Sequence, residues 1–215
     1  MTRVALIDYG IGNLRNVYKA LDVCGALVDV VDKPTSLNCY SHVVLPGVGA
    51  FADGMRELNR RGLADLVRES ANRKLPLLGI CLGMQMLLDR SEEFGIHEGL
   101  GIIEGENIPI ASQPLSSDRK KIPHIGWNGL QKPDAAMSWE GTILEATPPE
   151  TPVYFVHSFM AAARKKTAWL SEVTYCGVKI PAVIKLDNTY GCQFHPEKSG
   201  PCGLAIIRSF LNLAR

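Results

Sequence analysis

Short apolar runs alternate with helical segments through the first half of the chain, and this alternation restricts the fold more than any other feature. Between the runs, residues 16–24 and 51–72 carry apolar side chains at helical spacing, with Gly62 as a candidate break. Strands separated by helices predict parallel β-α-β units, and therefore an α/β fold with a mostly parallel sheet. The apolar runs of strand length are residues 3–8, 26–31, 42–45 and 75–80.

The second half of the chain is richer in strands and poorer in helices. This pattern predicts antiparallel additions to one edge of the sheet, followed by a helix over residues 203–214. We find no internal repeat and no low-complexity linker, so a single domain over residues 1–215 is expected. The strand-like segments are residues 102–103, 153–159, 168–174, 182–186 and 190–194.

Composition and charge exclude several classes of protein. The formal net charge is +1, which gives no strong field to attract nucleic acid or a membrane surface. No apolar run approaches the ~18–20 residues of a membrane span, and the N-terminal apolar stretch is too short for a signal peptide. The six cysteines form no C-x-x-C pair, which indicates free thiols, no zinc site and a cytoplasmic protein.

The segment around Cys81 indicates nucleophilic chemistry. Gly79 and Gly83 flank Cys81 in a Gly-x-Cys-x-Gly pattern, between the apolar run 75–80 and a helix predicted over residues 82–89. This is the cysteine form of the nucleophile elbow, a sharp strand-to-helix turn that exposes the nucleophile above the sheet edge. The positive end of the following helix favours a thiolate. The alternative is a small core cysteine whose neighbouring glycines serve packing.

A thiolate nucleophile needs a base to move protons and a group to orient that base. His195 follows a predicted strand, Glu197 lies two residues later, and Pro196 stiffens the turn between them. Such a turn presents both side chains together, so that Glu197 binds one imidazole nitrogen while the other faces Cys81. The sequence therefore predicts a Cys81–His195–Glu197 triad, against the alternative of a hydrogen-bonded surface histidine.

A glycine-rich turn at residues 47–49 follows the third predicted strand. Backbone N–H groups in such turns bind anions, so we expect a second oxyanion donor from Val48 or Gly49 beside the Leu82 N–H, unless the segment is a simple turn. The turn lacks the Gly-Lys-Ser/Thr of a phosphate-binding loop. Residues 10–13 lack the third glycine of a dinucleotide fingerprint, so the sequence predicts no cofactor and no metal.

With these segments in hand, the chain resembles the class I glutamine amidotransferases. Residues 79–85 and 195–197 match the triad motifs of that family, in the expected order. The resemblance covers nearly the whole chain and implies a three-layer, flavodoxin-like α/β fold with antiparallel additions in the second half. Finer features are similar to the glutaminase subunits of imidazole glycerol phosphate synthase, in histidine biosynthesis, and lie at residues 8–14, 46–51, 122–128, 154–158 and 195–199.

The resemblance implies a reaction for the predicted triad. Cys81 would attack the glutamine side-chain carbonyl and form a glutamyl thioester, which water would hydrolyse. His195 would take the thiol proton, protonate the departing ammonia and then activate the water. Glu197 would orient His195.

The resemblance also implies which residues surround the substrate. Val48, Gly49 and Leu82 would flank the oxyanion, with a peptide flip in the glycine-rich turn needed before Val48 can donate. Gly49, Gln85 and Glu93 would bind the amino-acid head group of glutamine. Glu93 is alternatively an ordinary exposed acid.

Free ammonia is protonated in water, and the chain shows no second domain that could consume it. The resemblance therefore implies a partner, a cyclase subunit of (β/α)8-barrel fold in a heterodimer, which would make imidazole glycerol phosphate and aminoimidazole carboxamide ribonucleotide. Trp127 and Tyr154 are alternatively core aromatics. The residues expected near that interface are Asn13, Asn16, Trp127, Tyr154 and Lys198.

Three further residues carry smaller expectations. His124 and His157 are expected to be structural hydrogen-bonding residues, and Phe159 stands where the family more often has tyrosine. Two other functions remain open on the sequence. One is a paralogous glutaminase that supplies ammonia to a sugar-amidating partner. The other is a non-catalytic binding protein on this fold, against which the intact triad argues.

Overall fold

The computed structural model describes residues 2–114, 121–135 and 137–214, and its first half follows the predicted alternation of strands and helices. The elements of this half are β1 (Arg3–Ile7), α1 (Leu14–Val23), β2 (Leu27–Val31), β3 (His42–Leu45), α2 (Phe51–Arg60), α3 (Leu63–Asn72), β4 (Leu77–Ile80) and α4 (Leu82–Met86). The later elements are β5 (Leu88–Ser91), β6 (His97–Glu98), β7 (Ile103–Pro109), β8 (His124–Gly129), β9 (Pro152–His157), β10 (Phe159–Ala163), β11 (Trp169–Tyr175), β12 (Val178–Leu186), β13 (Thr189–Cys192) and α5 (Gly200–Leu211).

A seven-stranded sheet forms the centre of the fold, in the order β11-β12-β13-β4-β3-β1-β2. The five strands from β13 to β2 are parallel to their neighbours. At the other edge, β12 pairs antiparallel with β13 and β11 pairs antiparallel with β12. A mostly parallel sheet with antiparallel additions from the second half is therefore confirmed.

Helices cover both faces of this sheet because its strands are apolar on both sides. Val4 and Leu6 of β1 join a buried cluster that contains the inner faces of α1 and α5. Ala5 and Ile7, which alternate with them, join a second cluster that contains the inner faces of α2 and α3. The result is a three-layer α/β/α arrangement around one sheet.

The break suggested at Gly62 is confirmed: the helical region of residues 51–72 is divided there, where a φ of 68° ends the helical geometry. Other element boundaries differ from the sequence expectation. The helix predicted over residues 82–89 stops at Met86, because residues 88–91 instead pair with β6 and β7. An apolar run this short fits either a buried helix or a strand, and tertiary pairing decided the outcome.

The second-half strands do not all join the central sheet. Strands β10, β7, β5 and β6 form a separate four-stranded sheet, and β8 and β9 form a two-stranded sheet. The expected strand over residues 153–159 is two strands, which separate at Ser158.

Across the described residues, no helix has the length and apolar character needed to cross a membrane.

Candidate active site

Cys81 occupies a tight strand-to-helix turn between β4 and α4. Its backbone angles are φ 53° and ψ −108°, a conformation that is strained for a residue with a side chain. The Cys81 N–H donates to the Cys192 carbonyl on β13 at 2.7 Å, which ties the turn to the sheet. A Cβ atom at Gly83 would overlap the Leu45 carbonyl oxygen, so the close approach of this turn to β3 requires glycine.

A cavity of about 300 Å³ opens above the carboxyl ends of the parallel strands, beside Cys81. Parallel sheets characteristically bind ligands at this edge. The cavity contains the proposed nucleophile and base together with all five residues predicted for the oxyanion and the substrate head group. Its lining residues are Val48, Gly49, Cys81, Leu82, Gln85, Glu93, Pro123, Val156, His157, Ser158, Phe159 and His195.

Glu197 lies behind His195, on the side of the ring away from the cavity. His195 Nδ1 and Glu197 Oε1 are 2.8 Å apart, and both side chains are buried. Burial alone would lower the pKa of His195, but the nearby Cys81 sulfur and the Glu197 carboxylate outweigh it and raise the pKa to about 9. Nε2 makes no hydrogen bond of standard geometry, although the Cys81 sulfur is close enough to raise this pKa.

Two groups that the sequence did not indicate contact the Cys81 sulfur. The Cys81 thiol donates a weak hydrogen bond to the Val156 carbonyl oxygen, 4.0 Å from the sulfur. The buried Gln193 amide donates from Nε2 to Sγ at 3.8 Å, and its Oε1 accepts from Gln85 Nε2 at 3.2 Å. Side chains two positions apart in an extended segment point to the same side. The sequence could therefore have indicated that Gln193, two residues before His195, faces the same side as the proposed base.

One of the predicted oxyanion donors, the Leu82 N–H, is occupied in this arrangement. The Leu82 N–H donates to the Gly47 carbonyl at 3.3 Å. Gly49, two residues further along the same turn, has a φ of 101°, a conformation that favours glycine. The turn at residues 47–49 therefore lies beside the proposed nucleophile, but its Gly47 carbonyl oxygen accepts the hydrogen bond of the Leu82 N–H.

The predicted head-group residues line the cavity and also bind protein groups. A Glu93 carboxylate oxygen accepts from the Phe51 N–H at 2.6 Å, at the first residue of α2. Gln85 Nε2 donates to the Phe159 carbonyl at 3.4 Å as well as to Gln193. Glu93 is thus partly buried at the cavity rim and is held in place by a helix N-terminus.

Two of the residues predicted for a partner interface, exposed Trp127 and half-buried Tyr154, form an aromatic pair. Trp127 is 56% exposed, which excludes the alternative that it is a core aromatic. Its ring meets that of Tyr154 edge to face, with centroids 5.8 Å apart. The Tyr154 carbonyl accepts from the His195 N–H at 2.9 Å, so this pair lies directly beside the proposed base.

The other three predicted interface residues surround Glu197. The Asn13 side-chain amide donates to Glu197 Oε1 at 3.3 Å. Asn16 and Glu197 line a second cavity of about 270 Å³. Lys198 is exposed and follows Glu197 directly in a 3-10 turn, Pro196–Lys198. All five residues therefore lie around the His195–Glu197 pair.

Neither disulfides nor a metal centre are found in the described part of the chain. All six cysteines are free thiols. Among residues 2–114, 121–135 and 137–214, no three His, Cys, Asp or Glu side chains are grouped closely enough to hold a metal ion.

The chain is similar to known proteins along nearly its full length. A family model described as glutamine amidotransferase class-I matches residues 5–213. Imidazole glycerol phosphate synthase subunit HisH 1 of Legionella pneumophila (strain Lens) is 47% identical over 213 residues, which cover 99% of this chain and 100% of that relative. Subunit HisH of Bacillus licheniformis is 42% identical over 96% of this chain and 94% of its own length.

Solved structures with low sequence identity share the fold. PurLQS from Thermotoga maritima superposes with a TM-score of 0.73 at 21% identity, over 98% of both chains. A crystal structure described as a glutamine amidotransferase superposes with a TM-score of 0.71 at 16% identity, over 97% of both chains. At these identities the likeness concerns the fold alone.

Proposed function

We propose, from the premise that this chain belongs to the class-I glutamine amidotransferases, that it is the glutaminase subunit of an imidazole glycerol phosphate synthase. Membership of the family makes it a glutamine amidotransferase enzyme. Relatives named HisH, 41% to 47% identical over nearly the whole chain, support this role in histidine biosynthesis. One observation carries the chemistry: Cys81 and His195 line one cavity, and Glu197 binds the far nitrogen of the imidazole.

The first half of the proposed reaction releases ammonia. The proton of the Cys81 thiol passes to His195 Nε2, and the sulfur then attacks the side-chain carbonyl carbon of glutamine. The tetrahedral intermediate then collapses, the carbon–nitrogen bond breaks, and His195 Nε2–H protonates the leaving nitrogen. The products are ammonia and a γ-glutamyl thioester on Cys81. The raised pKa of His195, about 9, supports this role, because a protonated ring is needed to complete ammonia release.

The second half of the proposed reaction regenerates the enzyme. His195 Nε2 takes a proton from water, whose oxygen attacks the thioester carbon. The carbon–sulfur bond breaks, glutamate leaves, and the proton on His195 returns to the sulfur. Glu197 stays ionised throughout and holds His195 Nδ1–H, so that Nε2 always faces the reacting atoms.

The oxyanion of both tetrahedral intermediates needs donors that the protein must uncover. The Leu82 N–H now donates to the Gly47 carbonyl, so that carbonyl has to rotate away before Leu82 can serve. The same peptide rotation would turn the Val48 N–H toward the cavity. A glycine at position 49, with its φ of 101°, gives the turn the freedom to rearrange.

The ammonia released here would be consumed by a partner. We propose a cyclase subunit of (β/α)8-barrel fold, which forms a heterodimer with this chain and produces imidazole glycerol phosphate and aminoimidazole carboxamide ribonucleotide. The exposed Trp127 beside Tyr154, and Lys198 beside Glu197, support docking close to the triad. Docking there would also shield the cavity from water, which otherwise protonates ammonia and removes its nucleophilicity.

The decisive experiment assays the purified chain with the barrel partner and the nucleotide substrate of that partner. Cys81→Ala is expected to abolish glutamine-dependent turnover and to leave turnover supported by added ammonium salts. Cys202→Ala, a partly buried cysteine outside the cavity, is the matched control. Loss of both activities in an intact complex would refute the nucleophile. Failure to rescue a histidine auxotroph would instead favour the paralogous, sugar-amidating role.

A further inference from the structure

We infer that Asn128, His124 and His157 form a hydrogen-bonded chain of fixed polarity that positions the Phe159 carbonyl in the wall of the proposed glutamine site. The polarity follows from the geometry alone. The consequence for glutamine binding rests on the function proposed above, and the two are tested separately below.

The chain of contacts crosses the small β8–β9 sheet. His124 on β8 and His157 on β9 are paired residues, and His124 Nδ1 lies 2.9 Å from His157 Nε2. Asn128, on the same face of β8 as His124, lies 3.2 Å from His124 Nε2 through its Nδ2. At the other end, His157 Nδ1 lies 2.8 Å from the Phe159 carbonyl oxygen. All four ring nitrogens therefore have a partner.

The Phe159 carbonyl sets the direction of every proton in this chain. A carbonyl oxygen can only accept, so the proton on His157 must be on Nδ1. In a neutral ring, His157 Nε2 then accepts, which requires His124 Nδ1 to donate. His124 Nε2 is left as an acceptor, so Asn128 must turn its NH₂ group toward it. Only one arrangement of protons satisfies all three contacts with two neutral rings.

The surroundings of the two rings keep them neutral. His124 is stacked between Phe155 and Tyr175, with centroids 4.9 Å and 4.0 Å away, and both histidines are buried. Burial lowers the pKa of His124 to about 4 and, with smaller effects from His124 and His195, lowers that of His157 to about 3. A charged ring would have to donate at both nitrogens and would break one of the contacts.

The hydrogen-bonded chain of Asn128, His124 and His157 joins an exposed surface to the cavity wall. Ile125 and Trp127, on the opposite face of β8, are 58% and 56% exposed. His157 and Phe159 line the cavity, and the Phe159 carbonyl also accepts from Gln85 Nε2 at 3.4 Å. The backbone at Ser158, where β9 gives way to β10, is therefore held from two sides. A displacement of β8 would reach the cavity through two hydrogen bonds, from His124 to His157 and from His157 to the Phe159 carbonyl.

The polarity is tested by ¹⁵N NMR of the histidine rings in the full wild-type chain at pH 7. Both His124 and His157 are expected to show a protonated Nδ1 and an unprotonated Nε2. A proton on Nε2 of either ring, or an imidazolium signal from either, would overturn the inference. This measurement uses no variant and no activity, so it does not depend on the proposed function.

The role in substrate binding is tested by Asn128→Asp, which keeps the shape of the side chain but replaces the donor with an acceptor. If His124 stays neutral, its proton moves to Nε2, His157 Nε2 must donate, and the contact from His157 Nδ1 to Phe159 is lost. If His124 becomes charged, that contact is kept, and ¹⁵N NMR of the variant identifies which state is present. We expect the KM for glutamine of the partner complex to rise about tenfold or more, with a smaller change in kcat.

Asn72→Asp is the matched control, because it adds the same charge at an exposed position at the end of α3. It is expected to leave KM unchanged. An unchanged KM for Asn128→Asp with His124 neutral, or a raised KM with His124 charged, would exclude the hydrogen-bonded chain from substrate binding. If the wild-type complex failed to hydrolyse glutamine at all, the proposed function would fall, while the NMR result would still decide the polarity.

Discussion

The Asn13 side-chain amide donates to Glu197 Oε1 at 3.3 Å, and the same oxygen accepts from His195 Nδ1 at 2.8 Å. Asn13 and Glu197 are 184 positions apart in the chain. The other carboxylate oxygen, Oε2, has no hydrogen-bond partner in the described structure. Asn13 therefore shares with His195 the task of orienting this carboxylate, although the sequence suggested only a place at a partner interface.

Asn13→Asp is expected to lower glutamine-dependent turnover about tenfold or more. The substitution removes a donor to Glu197 and puts a second carboxylate beside it, and a hydrogen bond to a charged group is worth about 1.5–3 kcal/mol. The measurement is kcat of the partner complex with glutamine, compared with turnover on added ammonium salts. Asn13→Ala should have a smaller effect. Equal loss with both nitrogen sources would point to an interface role only.

His195 is expected to make the stability of the chain depend on alkaline pH. Its ordinary pKa of 6.5 is raised to about 9 in the folded protein, so protonation favours folding. This contribution is fully present below about pH 6.5 and is lost as the pH rises through about 9. Urea unfolding at several pH values should show a decline over this window.

A His195→Gln variant provides the control for that decline. Its free energy of unfolding should change less between pH 6.5 and 9 than that of the wild type, because the titrating ring is absent. Other groups titrate in the same window, so the difference between the two proteins is the meaningful quantity. Parallel curves for the two proteins would contradict the raised pKa of His195.

Gln193→Met is expected to slow both alkylation of Cys81 by iodoacetamide and glutamine turnover about tenfold. The side chain keeps its length but loses the Nε2–H that reaches the sulfur at 3.8 Å and the oxygen that binds Gln85. Gln113→Met, at a partly exposed position, is the control. An unchanged alkylation profile would exclude this role for Gln193.

Gly83→Ala is expected to destabilise the fold by about 2 kcal/mol or more, because overpacking forces backbone shifts of this cost. The added methyl group would overlap the Leu45 carbonyl oxygen on β3. Gly25→Ala separates this overlap from backbone strain. Gly25 has a φ of 89° and no atom within 4 Å of the added Cβ, so only a penalty of about 1–2 kcal/mol is expected. Equal unfolding midpoints for the two variants would contradict the close approach of the turn to β3.

The sequence predicted those parts of the site that depend on residues close to one another along the chain. The elbow around Cys81 and the turn from His195 to Glu197 are short segments, and their glycine and proline residues restrict the backbone locally. The alternation of apolar runs and helices likewise predicted a parallel sheet, because the spacing of apolar residues in each segment depends on the local conformation of that segment. The cavity at the carboxyl edge follows from that sheet, and residues predicted at its strand ends meet there.

The sequence could not give the contacts that join distant segments. The donation from Leu82 to Gly47, the amide of Gln193 at the sulfur and the chain from Asn128 to Phe159 link residues with no local signature of one another. The same reason explains why residues 88–91 became a strand rather than the end of a helix.

By itself, then, the sequence determined the class of fold, the nucleophile segment and the order of the elements, since backbone restrictions and periodicity act over a few residues. Only the tertiary structure decided which donor meets which acceptor in the cavity. Hydrogen bonds require polar atoms to approach within about 3 Å, and that approach depends on how whole strands and helices pack.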